Sequence, residues 1–290
     1  SSGVSAALAA EGNSVASPKY SIITTCKGRL HNLARTLPEF LKQGQTEVIV
    51  VDYDCPDGTS EYVARNYPLA RLVSVTDQPK FNTSHARNLG AAQARGEFLV
   101  FLDADVVIAD NFVAEIDRQI SGQSFALFSP QVGNSLRGGC VVSRQFFDAI
   151  GGYDELLSGY EGEDLELYVR LRLLGAQQVF LDPRIVLEVI EQNTEERERF
   201  RAPDLKLQFL RGQLYSSAKE MLMSVQGSAV VDIALREKLL AEVDRSLPSL
   251  YTGESGFLLE LNLPDKYKRG FLKEWEFSRS VSVKARRTTR

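Results

Sequence analysis

The chain has 290 residues, of which 43% are apolar and 25% charged, with a net charge of −4. That is the composition of a folded globular protein, long enough for one large domain with an appendage, and it gives no reason to expect nucleic acid as a partner. No apolar run approaches the roughly 20 residues that span a bilayer, and the odd set of Cys26, Cys55 and Cys140, without metal-like spacing, reads as reduced thiols of a cytoplasmic protein.

Residues 1–17 are rich in small residues but lack the basic start and apolar core of a signal peptide, so they read as a flexible lead-in. Tyr20 to Thr25 reads as a first strand, followed by a loop at Cys26-Lys27-Gly28. Leu30, Leu33, Ala34, Leu37 and Leu41 recur at helical spacing, with Pro38 as a candidate kink and His31 off the apolar stripe. Glu47 to Val51 is a second strand. It runs into Asp52-Tyr53-Asp54-Cys55-Pro56-Asp57-Gly58-Thr59, a loop whose acids can accept hydrogen bonds from a nucleoside and whose Tyr53 offers a stacking face. Arg71 to Val75 is a third strand, and Ser84 to Arg95 an alanine-rich helix holding His85, Arg87 and Asn88.

Phe98 to Leu102 is continuously apolar, as a strand covered on both faces would be. Asp103 and Asp105 follow at once. Carboxylates at the carboxyl end of a central strand stand where open α/β sheets bind ligands, and with one residue between them both can face a single hard cation. The alternation of strand and helix up to this point predicts a doubly wound, mostly parallel sheet. No Gly-x-Gly-x-x-Gly follows the first strand, which disfavours a dinucleotide fold.

A helix after Asp110 and a strand over Phe125 to Phe128 come next, and then the pair Gly138-Gly139, where a ligand can approach the backbone. A short helix from Phe146 is closed by Gly151. The acidic loop Ser158 to Asp164 leads into a further helix, placing Glu163 and Asp164 near its N-terminus, where they suit capping and also general-base work on a hydroxyl. Val179 to Leu181 and Ile185 to Ile190 read as strands, Glu195 to Arg199 as a charged helix, and Ala202 onward as mostly helical, with a loop over Pro248 to Gly256. The chain ends in a basic tail that includes Lys266, Lys268, Arg269, Lys273, Lys284, Arg286, Arg287 and Arg290. Such a tail suits a solvated or oligomer-contacting arm, or a peripheral contact with an anionic membrane surface.

Taken in order, several of these pieces resemble the GT-A glycosyltransferases, in particular family 2 and its galactosyltransferase-like relatives. They are Tyr20 to Thr25, Val50-Val51-Asp52 with Pro56-Asp57-Gly58-Thr59, Ala86-Arg87-Asn88-Leu89-Gly90, Phe101-Leu102-Asp103-Ala104-Asp105, Gly138-Gly139 with Ile150 to Glu155, and Gly162-Glu163-Asp164. The resemblance covers about Tyr20 to Arg199. It implies a GT-A nucleotide-sugar-binding and catalytic domain over residues 18–200 and a helical C-terminal extension over 201–290. It further implies transfer of a sugar from a UDP-sugar to the hydroxyl of an acceptor of unspecified class, saccharide, lipid or small molecule, with inversion. Asp103 and Asp105 would hold Mn²⁺ or Mg²⁺, which would act as a Lewis acid on the departing diphosphate. Asp164 would be the base and Glu163 its orienting neighbour. Thr25, Arg29, Asp52, Tyr53, Arg87, Asp103, Ala104, Gly138 and Gly139 would surround the nucleotide sugar.

This chain departs from the family pattern at two places. Tyr53 stands where many relatives have a second acid after strand two. Where many relatives have a metal-binding histidine after the last strand, the aligned position is Gln192, beside Glu191. An amide is a poorer ligand for Mn²⁺ than imidazole, whereas the Glu191 carboxylate would suit it. A catalytically weak UDP-binding or scaffolding protein with the same fold is therefore a competing reading. A phosphohydrolase with Asp103 as nucleophile is a third, disfavoured because its motif normally closes the first strand rather than the fourth.

Overall fold

Continuously apolar strands need cover on both sides, and the fold supplies it. The structure is a computed structural model that describes residues 17–132, 136, 138–159, 161–191, 199–200, 204–252, 257–264 and 278–285. The strands of its first two thirds are β1 (Tyr20–Cys26), β2 (Thr46–Tyr53), β3 (Arg71–Val75), β4 (Phe98–Phe101), β5 (Val106–Ile108), β6 (Ser124–Phe128), β7 (Cys140–Ser143), β8 (Gln177–Leu181) and β9 (Val186–Val189). Between them lie α1 (Leu30–Leu41), α2 (Thr59–Asn66), α3 (Thr83–Gln93), α4 (Phe112–Gln119), α5 (Arg144–Ala149) and α6 (Glu163–Leu173).

Seven strands form one sheet in the order β3-β2-β1-β4-β7-β6-β8. β7 alone runs against its neighbours, and every other pairing in the sheet is parallel. Successive strand residues enter opposite faces, so Ile22, Val48, Val50 and Val100 join one core while Ile23, Ile49, Val51 and Phe101 join the other. Leu33, Leu37 and Phe40 of α1 and Phe112 and Ile116 of α4 cover the first face. Ala86 and Ala91 of α3 and Leu167 and Leu171 of α6 cover the second. Each fully buried side chain of this size contributes about 1.5–3 kcal/mol through removal from water. The short strands β5 and β9 leave the sheet and pair with each other, antiparallel.

The C-terminal third holds two long helices, α7 (Leu205–Gln226) and α8 (Ile233–Thr252). They share a third core with Leu157, made of Tyr215, Ala218, Leu222, Leu239, Leu240 and Val243. One expectation is corrected here. Pro248 lies inside α8, not in a loop; buried Leu239, Val243 and Leu247 keep that helix packed where propensity alone would end it. Beyond the helices of the mostly helical extension, β10 (Phe257–Pro264) and β11 (Ser278–Ala285) form an antiparallel pair. The alternation Leu259-Glu260-Leu261-Asn262-Leu263 and Val281-Ser282-Val283 was a period-two signal for them. The lead-in up to residue 16, residues 195–198 of the helix expected over Glu195 to Arg199, and the basic tail apart from Lys284 in β11 lie outside the described residues; Arg199 itself is in a turn.

Candidate functional site

β4 delivers Asp103 and Asp105 at its carboxyl end, and the turn that holds them is fixed from three directions. Val106 N–H donates to the Asp103 carbonyl at 3.3 Å. The Thr36 hydroxyl of α1 donates to the Ala104 carbonyl at 2.8 Å. Ile190 N–H donates to the Asp105 carbonyl at 2.8 Å, which brings exposed Glu191 beside the turn. Ala104 is buried between the two acids, whose side chains are 31% (Asp103) and 13% (Asp105) exposed.

Two arginines meet these acids. Arg87, on α3, is 3% exposed, and its Nη2 donates to Asp103 Oδ1 at 3.0 Å. Its Nη1 stands 3.7 Å from Glu163 Oε1 and makes no hydrogen bond. Arg29, at the head of α1, places Nη1 3.7 Å from Asp105 Oδ2. The glycine pair now has a physical role. A Cβ on Gly138 would lie 3.0 Å from Arg87 Nη2, and one on Gly139 would press 2.6 Å from the Phe128 ring. Only a bare backbone leaves room for the buried guanidinium and the aromatic beneath it.

Glu163 and Asp164 open α6 behind Gly162, whose φ of +79° makes the tight entry. Burial raises the Glu163 carboxyl to about 7, the Asp164 charge adds to this, and Arg87 opposes it. Burial also raises Asp164, against the backbone N–H groups of the helix start. The two acids titrate as a pair. A carboxylate pair shifted toward neutrality suits proton abstraction better than an ordinary surface acid does.

The expected nucleoside loop is arranged differently from its sequence reading. Both Asp52 oxygens are engaged inside the loop, by Cys55 N–H at 2.8 Å and by Ser60 through its N–H at 2.8 Å and its hydroxyl. Tyr53 is fully buried. Its ring packs edge-on against Phe81 and His85, and its hydroxyl meets His85 Nδ1 at 2.8 Å, so it offers no open stacking face. Its side chain leaves β2 on the face that α3 covers, where alternation had no say in the matter until the helix was placed. Thr25, at 8% exposed, lies one residue before the end of β1.

Comparisons with known proteins bear on the fold. Residues 21–136 match the family model described as glycosyl transferase family 2. The mannosyltransferase PcManGT from Pyrobaculum calidifontis, solved with GDP-Man and Mn²⁺, superposes with a TM-score of 0.53 at 15% identity, over 79% of this chain and 70% of that one. TarS residues 1–349 from S. aureus, solved with UDP, superpose with a TM-score of 0.53 at 19% identity, over 79% and 71%. The chain has the GT-A glycosyltransferase fold. Among curated proteins none matches it significantly.

Whether the GT-A core here suits a divalent cation is tested by its donors. Asp103 and Asp105 are hard oxygen ligands on one pinned turn, with Glu191 next to it in register. Gln192 lies outside the described residues. No three His, Cys, Asp or Glu side chains gather into a ready-made cage among the described residues. A cation that arrives with a diphosphate needs only one or two protein carboxylates, so the donor set fits that kind of ion.

Three features of the site carried no signal in the sequence reading. Lys27 is buried, and its Nζ donates to the carbonyls of Tyr53, Asp54 and Gln78 at 3.1, 2.8 and 2.6 Å, tying together the ends of the first three strands. Phe200 lies over that lysine, 5.0 Å from Nζ to ring centre, and fills the space above Gly28. Helix α7 grips the acidic loop. Arg211 reaches Glu161 at 2.6 Å, and Gly212 lets the helix backbone lie directly on the Glu161 carbonyl. A free glycine at the middle of a predicted helix was the one available clue, since it costs helix stability and so invites a packing reason.

Proposed function

We propose that this chain is a nucleotide-sugar-dependent glycosyltransferase that moves a sugar from a UDP-linked donor to an acceptor hydroxyl, with inversion and with the help of Mn²⁺ or Mg²⁺. The observation that carries the reading is Arg87. One buried guanidinium touches both Asp103 of the strand-end motif and Glu163 of the acidic loop, which brings a cation-type site and a base-type pair to the same place. TarS was solved with UDP and PcManGT with GDP-Man, which supports a nucleotide-diphosphate donor, and the choice of UDP follows the family resemblance.

Asp103 and Asp105, with Glu191 and Gln192, would hold the cation, and Arg29 and Arg87 would stand beside the phosphates. When bound, the cation would neutralise charge that develops on the leaving diphosphate. Asp164 accepts the proton from the acceptor oxygen, and Glu163 holds that hydroxyl in line. Gly138 and Gly139 would lie beside the donor sugar, their missing side chains leaving room for Arg87 and Phe128. The acceptor is a hydroxyl compound of unspecified class.

A catalytically weak nucleotide-binding protein of the same fold is the second reading. It is favoured by the arginine already paired with each motif carboxylate and by the absence of a three-ligand cage among the described residues.

Calorimetry of UDP with and without Mn²⁺, on the protein and on Asp105→Asn, tests the proposal. Binding that needs the ion and fails in the variant supports the enzyme. Binding indifferent to both supports the second reading. No binding at all removes both.

A further inference from the structure

Two of the three thiols sit face to face where β1 ends and the loop after β2 begins. Cys26 closes β1 and is fully buried, and Cys55 lies partly exposed in the loop after β2. Their sulfurs are 3.9 Å apart. That is contact distance for two reduced thiols and well outside the ~2.05 Å of a bond. Gly28 N–H points at the Cys55 sulfur from 3.1 Å, and the Thr59 hydroxyl lies 3.3 Å from the Cys26 sulfur.

These contacts make the two thiols unequal. The Cys26 contact, Thr59 and the N–H groups of Asp57 and Gly28 lower Cys55 to about 6 against the pull of burial. The same contact and burial push Cys26 strongly up. Cys140 is different again. It is fully buried, lies 3.8 Å from the Tyr153 hydroxyl, and burial raises it to about 11. An accessible sulfur cradled by N–H donors is the pattern of a reactive cysteine, and a buried thiol in contact with it is the pattern of a resolving partner.

We propose that Cys55 is an oxidative modification site for small peroxides, and that Cys26 resolves it into a Cys26–Cys55 disulfide. The Cys55 thiolate attacks one peroxide oxygen, and the O–O bond breaks. Hydroxide leaves and recovers from solvent the proton that Cys55 had released. The Cys26 sulfur then attacks the Cys55 sulfenic acid. The S–S bond forms, the S–O bond breaks, and the hydroxyl departs with the Cys26 proton as water. Two thiols are oxidised by two electrons and one hydrogen peroxide is reduced to two waters. The new bond ties the end of β1 to the loop after β2 and removes the acceptor of Gly28 N–H, one residue before Arg29, whose guanidinium faces Asp105.

The test uses the reduced full chain under native conditions near neutral pH. N-ethylmaleimide labelling followed by peptide mass mapping should find Cys55 alkylated at least roughly ten-fold faster than Cys140. Hydrogen peroxide should then give a linked Cys26–Cys55 peptide, lighter by two hydrogens and restored by dithiothreitol. In Cys26→Ser, dimedone should trap the sulfenic acid at Cys55. Alkylation of Cys55 no faster than Cys140 would overturn the proposal. So would a wild-type chain that accumulates the dimedone adduct at Cys55 without the linkage, a result that does not depend on the variant folding.

Discussion

Arg87 Nη2 and Asp103 Oδ1 stand 3.0 Å apart, with the arginine buried and the aspartate 31% exposed at its side chain. The guanidinium thus holds a strand-end acid while its other nitrogen faces Glu163. Arg87→Ala would leave two acids facing each other across a space with no cation. Removing one partner of a buried pair costs roughly 3–5 kcal/mol, and the exposure of Asp103 places this case at about the lower end. Urea unfolding of the variant checks it. A loss below about 1 kcal/mol would mean the pairing does not stabilise the fold.

Glu163 binds its proton more tightly in the folded chain than in the unfolded one. Its contribution to stability is therefore complete below the unfolded carboxyl value and is lost as pH rises toward about 7. Glu163→Gln keeps the neutral form at every pH. From about pH 5 to about pH 8 the wild type should lose stability relative to this variant, read as diverging urea midpoints. Parallel pH profiles would contradict the shift. In a transfer assay, the rate should rise with pH as the Glu163–Asp164 pair ionises.

Gly212 sits inside α7, where alanine would ordinarily add about 1 kcal/mol of helix stability. Here a Cβ would overlap the Glu161 carbonyl oxygen. Gly212→Ala should instead destabilise by about 1–3 kcal/mol, the usual cost of overpacking. Thermal unfolding gives the sign directly. Hydrogen exchange should also show faster opening over residues 161–164, because α7 is what presses on that loop.

Lys219 is 2% exposed and joins Asp154 and Glu166, each at 2.6 Å. Burial alone would raise Asp154, yet Lys219, Tyr215 and Arg236 hold it down at about 2. That stability is present above the ordinary carboxyl range and disappears as pH falls toward about 2. Lys219→Met should cost about 3 kcal/mol at neutral pH and move the acid unfolding midpoint upward. An unchanged acid midpoint would show that Arg236 and Tyr215 hold Asp154 by themselves.

The sequence by itself determined a covered, mostly parallel sheet over the first strands, and its ordered motifs carried the resemblance to the GT-A fold. Val48 to Val51 of β2 and Phe98 to Phe101 of β4 are apolar runs with no polar face, a pattern suited to a sheet covered on both sides, and the helices between the first four strands favour their parallel order, whereas the antiparallel β7 had no such signal. It also located the acids Asp103, Asp105, Glu163 and Asp164, because an acid at a strand end or helix start is visible from its neighbours in the chain. The tertiary structure alone decided how those acids are paired. The resemblance placed Arg87 near the nucleotide, but its pairing with Asp103 and Glu163 exists only once its helix lies on the sheet between them. Tyr53 reads as an aromatic beside a ligand loop until Phe81 and His85 bury it. Asp52 reads as a free acceptor until Cys55 and Ser60 use both its oxygens. The clasp of α7 on Glu161 joins residues 50 positions apart. Local pattern reports which face a residue takes along its own element. Which partner meets that face depends on contacts between distant segments, and these exist only once the whole sheet and its helices have packed.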